Sequence, residues 1–342
     1  DDLDLILQAY HSLFDLRPLL FFDEIQNIEG WEHFARRLAN QKYNIYITGS
    51  NAKMLSREIA TTLGGRFWNK DVYPYSFAEY LNARDIILSK NWMYGKQAAE
   101  VSKAFNDYFL YGGFPELTDV IAKRVWLNDI YSKIFFSDLI VRNKVRNEEA
   151  LGLLVRRLAE NVKQPVSYTR LANLISSIGI KISKATVIEF IRYLKESCLI
   201  FPIENYAAKF AERNSNMKHY FIDNGLLSIF LLDGNTSLLE NIVAIHLYKR
   251  YGAQLYFYNQ NIEVDFIIPE AKTAIQVSYS LMDETTCRRE VEGLIKLNRV
   301  FPMDNMCIIT RDEERIITHE SGVSIHVIPV WKWLLEEEPL QT

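Results

Sequence analysis

The run Leu19-Leu20-Phe21-Phe22-Asp23-Glu24 constrains the fold of this chain more than any other stretch. Consecutive apolar residues leave no polar side for water, so they suit a short strand covered on both faces, as in a parallel sheet. Asn44-Ile45-Tyr46-Ile47-Thr48 repeats the pattern and Gly49 closes it, with a helical segment, Trp31 to Leu38, in between. Strand, helix and strand in this order imply a parallel α/β sheet. Ahead of them, Leu3, Ile6, Leu7, Tyr10 and Leu13 follow a helical period.

The chain has 342 residues, enough for two or three domains. Hydrophobic residues are 49% and charged residues 24%, the balance of a folded soluble protein. A net charge of −4 means that any basic patch is local. Cys198, Cys287 and Cys307 form no CxxC pair, which argues against a disulfide framework or a zinc site and for reduced, partly buried thiols. The histidines show no metal-ligand spacing. No apolar run reaches the roughly 18 residues of a membrane span. The acidic start Asp1-Asp2-Leu3-Asp4 is unlike a signal peptide, and with no initiator Met the numbering is compatible with a start inside a longer protein. The expectation is a cytoplasmic protein that does not enter membranes.

From about Ser76 to Asn147 the pattern is helical, broken at Gly112-Gly113-Phe114-Pro115. From Leu151 to Asp223 the elements shorten: a helix near Tyr168–Ser176, a turn at Gly179, a helix capped by Ser183, then strands at Leu199–Ile203 and His219–Ile222. That is the order of a winged helix-turn-helix. The remainder reads as a helix from Leu238 to about Tyr251, three strands, a helix near Glu284–Leu297, strands at Met306–Thr310 and Ser324–Ile328, and a final helix.

Adjacent carboxylates at the end of a buried strand suit a nucleotide hydrolase, one acid ordering the magnesium shell and the next polarising water. The alternative is an Asp that caps the next element, with Glu24 solvated. Thr48-Gly49-Ser50-Asn51 ends the second strand as a phosphate sensor does, and Gly64-Gly65-Arg66 follows a helix.

Together, Phe22-Asp23-Glu24-Ile25-Gln26-Asn27 with Trp31-Glu32, Thr48-Gly49-Ser50, Gly65-Arg66, Pro74-Tyr75-Ser76-Phe77-Ala78-Glu79-Tyr80, Tyr111-Gly112-Gly113-Phe114-Pro115 and Glu263-Val264-Asp265-Phe266 form an ordered set. The set resembles the bacterial and archaeal AAA+ ATPases whose members carry a C-terminal domain of unknown function with a restriction-endonuclease-like fold. The resemblance implies an α/β AAA+ core over 1–82, a helical lid over 83–150, a winged helix over 151–234 and a nuclease-like domain over 235–342. It also implies ATP and magnesium as cofactors, with Asp23 for the metal, Glu24 as base, Ser50 or Asn51 as sensor and Arg66 as a finger. One departure matters. The phosphate loop GxxxxGK[ST], which family members carry upstream of where this chain begins, is absent; the Gly-Lys pair at Gly95-Lys96 lacks its context. Either the chain is a fragment or nucleotide binding has been lost. If it is a fragment, the strands of residues 1–75 lack a central neighbour that a partner, another copy or a missing segment supplies.

Leu151 to Ile222 holds 11 Lys and Arg against 5 Asp and Glu. Lys181, Lys184, Arg192 and Lys195 fall on or near the recognition helix, and Lys209, Arg213 and Lys218 in the wing. Phosphate contact with DNA and docking to a protein are both open readings, the second at least as good as the first. In the last segment Glu240, Asp265, Gln276 and Ser278 occupy the positions of a PD-(D/E)xK site. Gln brings no charge to a metal and Ser no ammonium, so cleavage is not expected; Glu263 and Asp265 as a solvated pair is the plain alternative. The expected function is an AAA+ ATPase whose nucleotide-dependent changes act on DNA, and the alternative is a scaffold that has lost ATP binding.

Overall fold

The computed structural model describes residues 2–25, 28–49, 62–65, 67–93, 95–209, 213 and 215–336. Two compact units emerge, Asp1–Val72 with Glu196–Cys198, and Tyr73–Lys195 with Leu199–Thr342. This division is coarser than the four segments expected from the sequence.

The first unit contains α1 (Asp2–Leu13), β1 (Leu20–Phe22), α2 (Trp31–Asn40) and β2 (Ile45–Ile47). On α2, Trp31, Phe34, Ala35 and Leu38 recur at helical spacing and are buried, an amphipathic stripe facing the strands. β1 and β2 pair in parallel, Leu20 with Ile45, Phe21 with Tyr46 and Phe22 with Ile47. Phe22 and Ile47 pack on the core of Ile25, Trp31, Ala35 and Leu63. Alternation along a strand sends Phe21 and Tyr46 to the opposite face, where they stack at 4.9 Å and stay 69% and 56% exposed. The expected cover on both faces is therefore present on one face only among the described residues.

The second unit begins with α3 (Phe77–Ala83), α4 (Lys96–Tyr111), α5 (Lys123–Lys133) and α6 (Glu148–Glu160). Ser76 caps α3 in a reciprocal capping box with Glu79, which satisfies backbone donors at the helix start. Next come β3 (Val166–Ser167), α7 (Tyr168–Ser176), α8 (Lys184–Glu196), β4 (Ile200–Asn205), β5 (Asn216–Phe221), α9 (Asn224–Ser228) and α10 (Asn235–Tyr251). The chain closes with β6 (Tyr256–Asn259), β7 (Glu263–Ile268), β8 (Thr273–Val277), α11 (Glu284–Val300), β9 (Asn305–Thr310), β10 (Arg315–Thr318), β11 (Ser324–Pro329) and α12 (Val330–Glu336).

Its strands form one nine-stranded sheet in the order β10-β11-β9-β8-β7-β6-β4-β5-β3. The helix–turn–helix and two strands of residues 168–221 have the expected order, and Ser183 accepts from the Thr186 amide at 3.0 Å to start α8. The ribbon β4–β5 is not a free wing, however. β4 pairs in parallel with β6 through Glu204–Tyr256 and Asn205–Phe257, joining it to the C-terminal strands. β10 was not foreseen: it is a short edge strand with Ile316 63% exposed, and no burial demand writes a pattern into it.

A buried clasp ties the helices to the sheet. The Asp223 carboxylate accepts from the Gly113 amide at 2.8 Å and from the Gly225 amide at 2.7 Å. A Cβ on Gly112, whose φ is 78°, would lie 2.0 Å from that carboxylate, so only glycine fits there. The Gly113 carbonyl in turn accepts from the Tyr75 amide at 2.7 Å. Two of the motif stretches, around Tyr75 and around Gly112, thus meet at a packing joint. Among the described residues no helix is long and apolar enough to cross a membrane. Of the free cysteines, Cys287 and Cys307 are half-buried as expected and Cys198 is exposed.

Candidate functional site

Two groups of carboxylates come from the residues the sequence singled out, and the fold treats them differently. In the first unit, Asp23 and Glu24 leave the C-terminal end of β1. The Thr48 amide bonds the Phe22 carbonyl at 2.9 Å, extending the parallel ladder one residue past the strands. That register brings the Thr48 hydroxyl onto Asp23 Oδ1, to which it donates a hydrogen bond. Asp23 is exposed and Glu24 half-buried. Glu24 has φ 49°, a left-handed conformation that disfavours a residue with a Cβ and is one place where sites hold backbone strain. Ile25, 1% exposed, anchors the turn behind it. Ser50, Asn51 and Arg66, with Gln26 and Asn27 of the motif, lie outside the described residues.

The oxygens of Asp23 and Thr48 are hard donors at a strand end open to water, a donor set that fits a magnesium ion retaining most of its own waters. The phosphates of a nucleotide need backbone amides and a lysine, and these 342 residues carry no GxxxxGK[ST] to supply them.

In the second unit, Glu240 on α10 and Asp265 on β7 are brought together, and a residue the sequence reading placed elsewhere sits between them. Lys218 was expected on a wing, in a basic patch open to DNA or to a protein partner. Its side chain is instead fully buried, with Nζ 3.1 Å from Glu240 Oε1, 3.1 Å from Asp265 Oδ1 and 3.8 Å from Glu263 Oε1. The physical reason is strand alternation: Lys218 and Tyr220 share the face of β5 turned toward α10, and the Tyr220 hydroxyl donates to Glu240 Oε1 at 2.7 Å. Glu263 and Asp265 are therefore not a merely solvated pair.

Burial pushes the Glu240 carboxyl up from the ordinary 4.5 to about 7, against the pull of Lys218. For Lys218 burial alone would favour the neutral amine, but Glu240, Asp265 and Glu263 outweigh it and raise its pKa. Next to Lys218, burial lowers His219 to about 4, so it stays neutral at pH 7.

Gln276 is buried and does not face outward as a ligand. Its Oε1 accepts from the Asp265 amide at 2.9 Å and its Nε2 donates to the Glu263 carbonyl at 3.1 Å, so it staples β7 to β8. Gly293 on α11 permits this, since a Cβ there would stand 3.0 Å from Gln276 Nε2. Ser278 donates to the Ser280 carbonyl at 3.0 Å and takes no part in the charge cluster. The other oxygen of Asp265 accepts from the Val277 amide at 3.0 Å. With an ammonium among its carboxylates this group does not fit a magnesium ion, and no set of three or more His, Cys, Asp or Glu among the described residues could hold a metal.

Of the basic residues, Lys181, Lys184, Arg192 and Lys195 are exposed as expected. Arg213 bonds the carbonyls of Ala208 at 2.9 Å and Tyr206 at 3.1 Å, which ties it to its own loop. The sequence reading missed Tyr220 and Asp223 altogether. A signal existed for Tyr220: Lys218-x-Tyr220 puts two hydrogen-bonding groups on one face of a strand.

The parallel strand pair with its terminal acids is that of an AAA-type α/β protein. The profile of a family described as an AAA domain matches residues 1–81, and one described as a domain of unknown function (DUF8612) matches residues 102–237. The chain is 33% identical over 349 aligned positions to an uncharacterized protein of Methanocaldococcus jannaschii, covering 98% of this chain and 78% of that protein. An uncharacterized protein of Haemophilus influenzae is 32% identical, over 92% of this chain and 76% of its own length. A second protein of M. jannaschii, also uncharacterized, is 24% identical over 77% of this chain and 62% of its own. The chain belongs to the family of these proteins, with an AAA-type N-terminal segment.

Proposed function

We propose that this chain is the greater part of an AAA+ ATPase that converts nucleotide turnover into conformational change on DNA. The hydrogen bond from Thr48 at the end of β2 to Asp23 at the end of β1 carries this reading. It gathers oxygen donors at the carboxyl ends of two parallel strands, the end of open α/β sheets at which ligands bind. Asp23 would hold magnesium, whose chemistry there is to neutralise phosphate charge. Glu24, next along the chain and turned by its left-handed backbone, would orient and deprotonate the attacking water. Ser50 or Asn51 would sense the γ-phosphate, and Arg66 would reach the site as a finger, from this chain or another copy. Residues 83–150 would form the lid, 151–234 a winged helix, and 235–342 a nuclease-like domain that does not cut, because Lys218 already neutralises Glu240 and Asp265.

The test is ATP turnover by the full-length gene product beside its Glu24→Gln variant. Retained binding with turnover lowered by about 10²–10⁴-fold is expected of a lost general base. Equal turnover would remove Glu24 from the chemistry. A full-length gene product that binds no ATP favours the second reading, a scaffold without nucleotide.

A further inference from the structure

Residues 161–188 contain no Asp or Glu, yet they hold Lys163, Arg170, Lys181 and Lys184, in a chain whose net charge is −4. Leu171, Ala172 and Ile175 of α7 and Val187, Phe190, Ile191 and Leu194 of α8 turn inward, so packing leaves the polar positions outside. Along α7 runs an open groove of about 410 Å³ lined by Ser167, Thr169, Arg170, Asn173, Leu174 and Ser177. Lys181 and Lys184 stand exposed at the turn into α8. Apart from Leu174, the side chains that line it end in hydroxyl, amide or guanidinium groups and none in a carboxylate, and such groups can receive a phosphodiester backbone.

We infer that the groove of α7, the following turn and the first turn of α8 form a docking surface for the backbone of duplex DNA, without base readout. The inference rests on the DNA part of the function proposed above and locates it. Three observations favour this occupant. Tyr168 is half-buried and Phe190 and Tyr193 are buried, so this face offers no exposed aromatic on which single-stranded bases could stack. A helix fits the wide major groove of B-form DNA, whereas the major groove of an RNA duplex is too narrow for it. The outward positions of α8, among them Lys184, Ala185, Ile188 and Glu189, contain no Asn or Gln pair for base edges.

Charge on the surface is uneven. Glu189 lies 3.8 Å from Arg192 and offsets it, which leaves the positive end at Arg170, Lys181 and Lys184. On the β4–β5 ribbon Lys218 is sealed and Arg213 is tied to its own loop, while Lys209 is exposed.

Fluorescence anisotropy of a labelled duplex with this chain, without nucleotide, tests the assignment. Binding is expected to weaken steeply between roughly 50 and 200 mM salt and to vary little with sequence. The triple variant Arg170→Glu/Lys181→Glu/Lys184→Glu should bind at least ~30-fold more weakly and lose about 3 from the log–log salt slope, near one per phosphate contact. Lys103→Glu, an exposed lysine on α4, should bind as the parent does. Circular dichroism identical to the parent is the check on folding. The proposal is overturned by absent binding at low salt, by an unaffected triple variant, by equal loss in Lys103→Glu, or by tighter binding of single strands or duplex RNA. Because no nucleotide is present, its failure is distinct from failure of the ATPase reading, which the Glu24→Gln turnover decides.

Discussion

Asp23 with Glu24 and Glu240 with Asp265 are both carboxylate pairs beside strands, and the two regions have opposite fates. In the first pair Asp23 stands exposed at a strand end and accepts a hydrogen bond from the neutral Thr48 hydroxyl. The second is closed around the ammonium of Lys218, 3.1 Å from each acid. Acids left facing water can take a cation from solution, whereas acids that meet a lysine inside the protein have already found one. The difference lies in whether a long-range contact satisfies the charge, and residue type alone does not reveal it.

The largest effect should come from opening the closed pair. Lys218→Met leaves the buried Glu240 and the half-buried Asp265 without their cation, and removal of one partner of a buried pair costs about 3–5 kcal/mol. Urea unfolding at neutral pH measures it; a loss under ~1 kcal/mol would mean that the lysine and the acids are independent, and the contrast with Asp23 would dissolve.

Next in size is Gln276→Glu with Ser278→Lys, which writes a more nuclease-like set into β8. The new carboxylate loses the amide that donates to the Glu263 carbonyl at 3.1 Å. A loss of about 1–3 kcal/mol is expected for stranding that carbonyl, with no cutting of plasmid in magnesium or manganese. Cleavage, abolished again by Asp265→Ala, would show that the cluster opens to metal after all.

The pH dependence sharpens the comparison further. Glu240 rises from 4.5 to about 7 in the folded protein, so the folded state holds this proton more tightly than the unfolded chain. Its contribution is full below 4.5 and fades as pH climbs through 7. Glu240→Gln does not titrate, so its deficit against the parent should shrink over that window. A deficit that widens with pH would mean that the pair with Lys218 dominates instead.

The open pair should respond more gently. Glu24→Gly relieves a left-handed backbone at φ 49° and should be neutral to stabilising by up to about 1 kcal/mol, read from the melting temperature. The smallest signal is predicted for MgATP titrated into this 342-residue chain, where calorimetry should detect no micromolar binding. Micromolar affinity would show that Asp23 and its surroundings hold nucleotide without a phosphate loop.

Much of the architecture was readable beforehand. The helical period of Trp31 to Leu38, the apolar runs of β1 and β2, and the Ser183 cap each follow from local chemistry, and the structure has them where the pattern put them. The strands of the C-terminal half appeared in order because their alternation is local too. β10 escaped because an edge strand is not required to be apolar on a fixed face. The joining of β4 to β6 escaped because pairing between distant segments leaves no mark on either one alone.

The sequence by itself determined which residues carry charge, which segments are amphipathic and where each helix starts, since these depend on neighbours a few positions away. It also determined that Asp23 and Glu24 end a buried-type strand and that residues 161–188 have no acids. Only the tertiary structure decided that Lys218 belongs to Glu240 and Asp265, that Gln276 is a staple, and that Asp223 needs glycine at position 112. Those outcomes come from contacts between groups far apart along the chain, where burial strengthens every electrostatic interaction and leaves each charge to be matched by whatever the fold brings beside it.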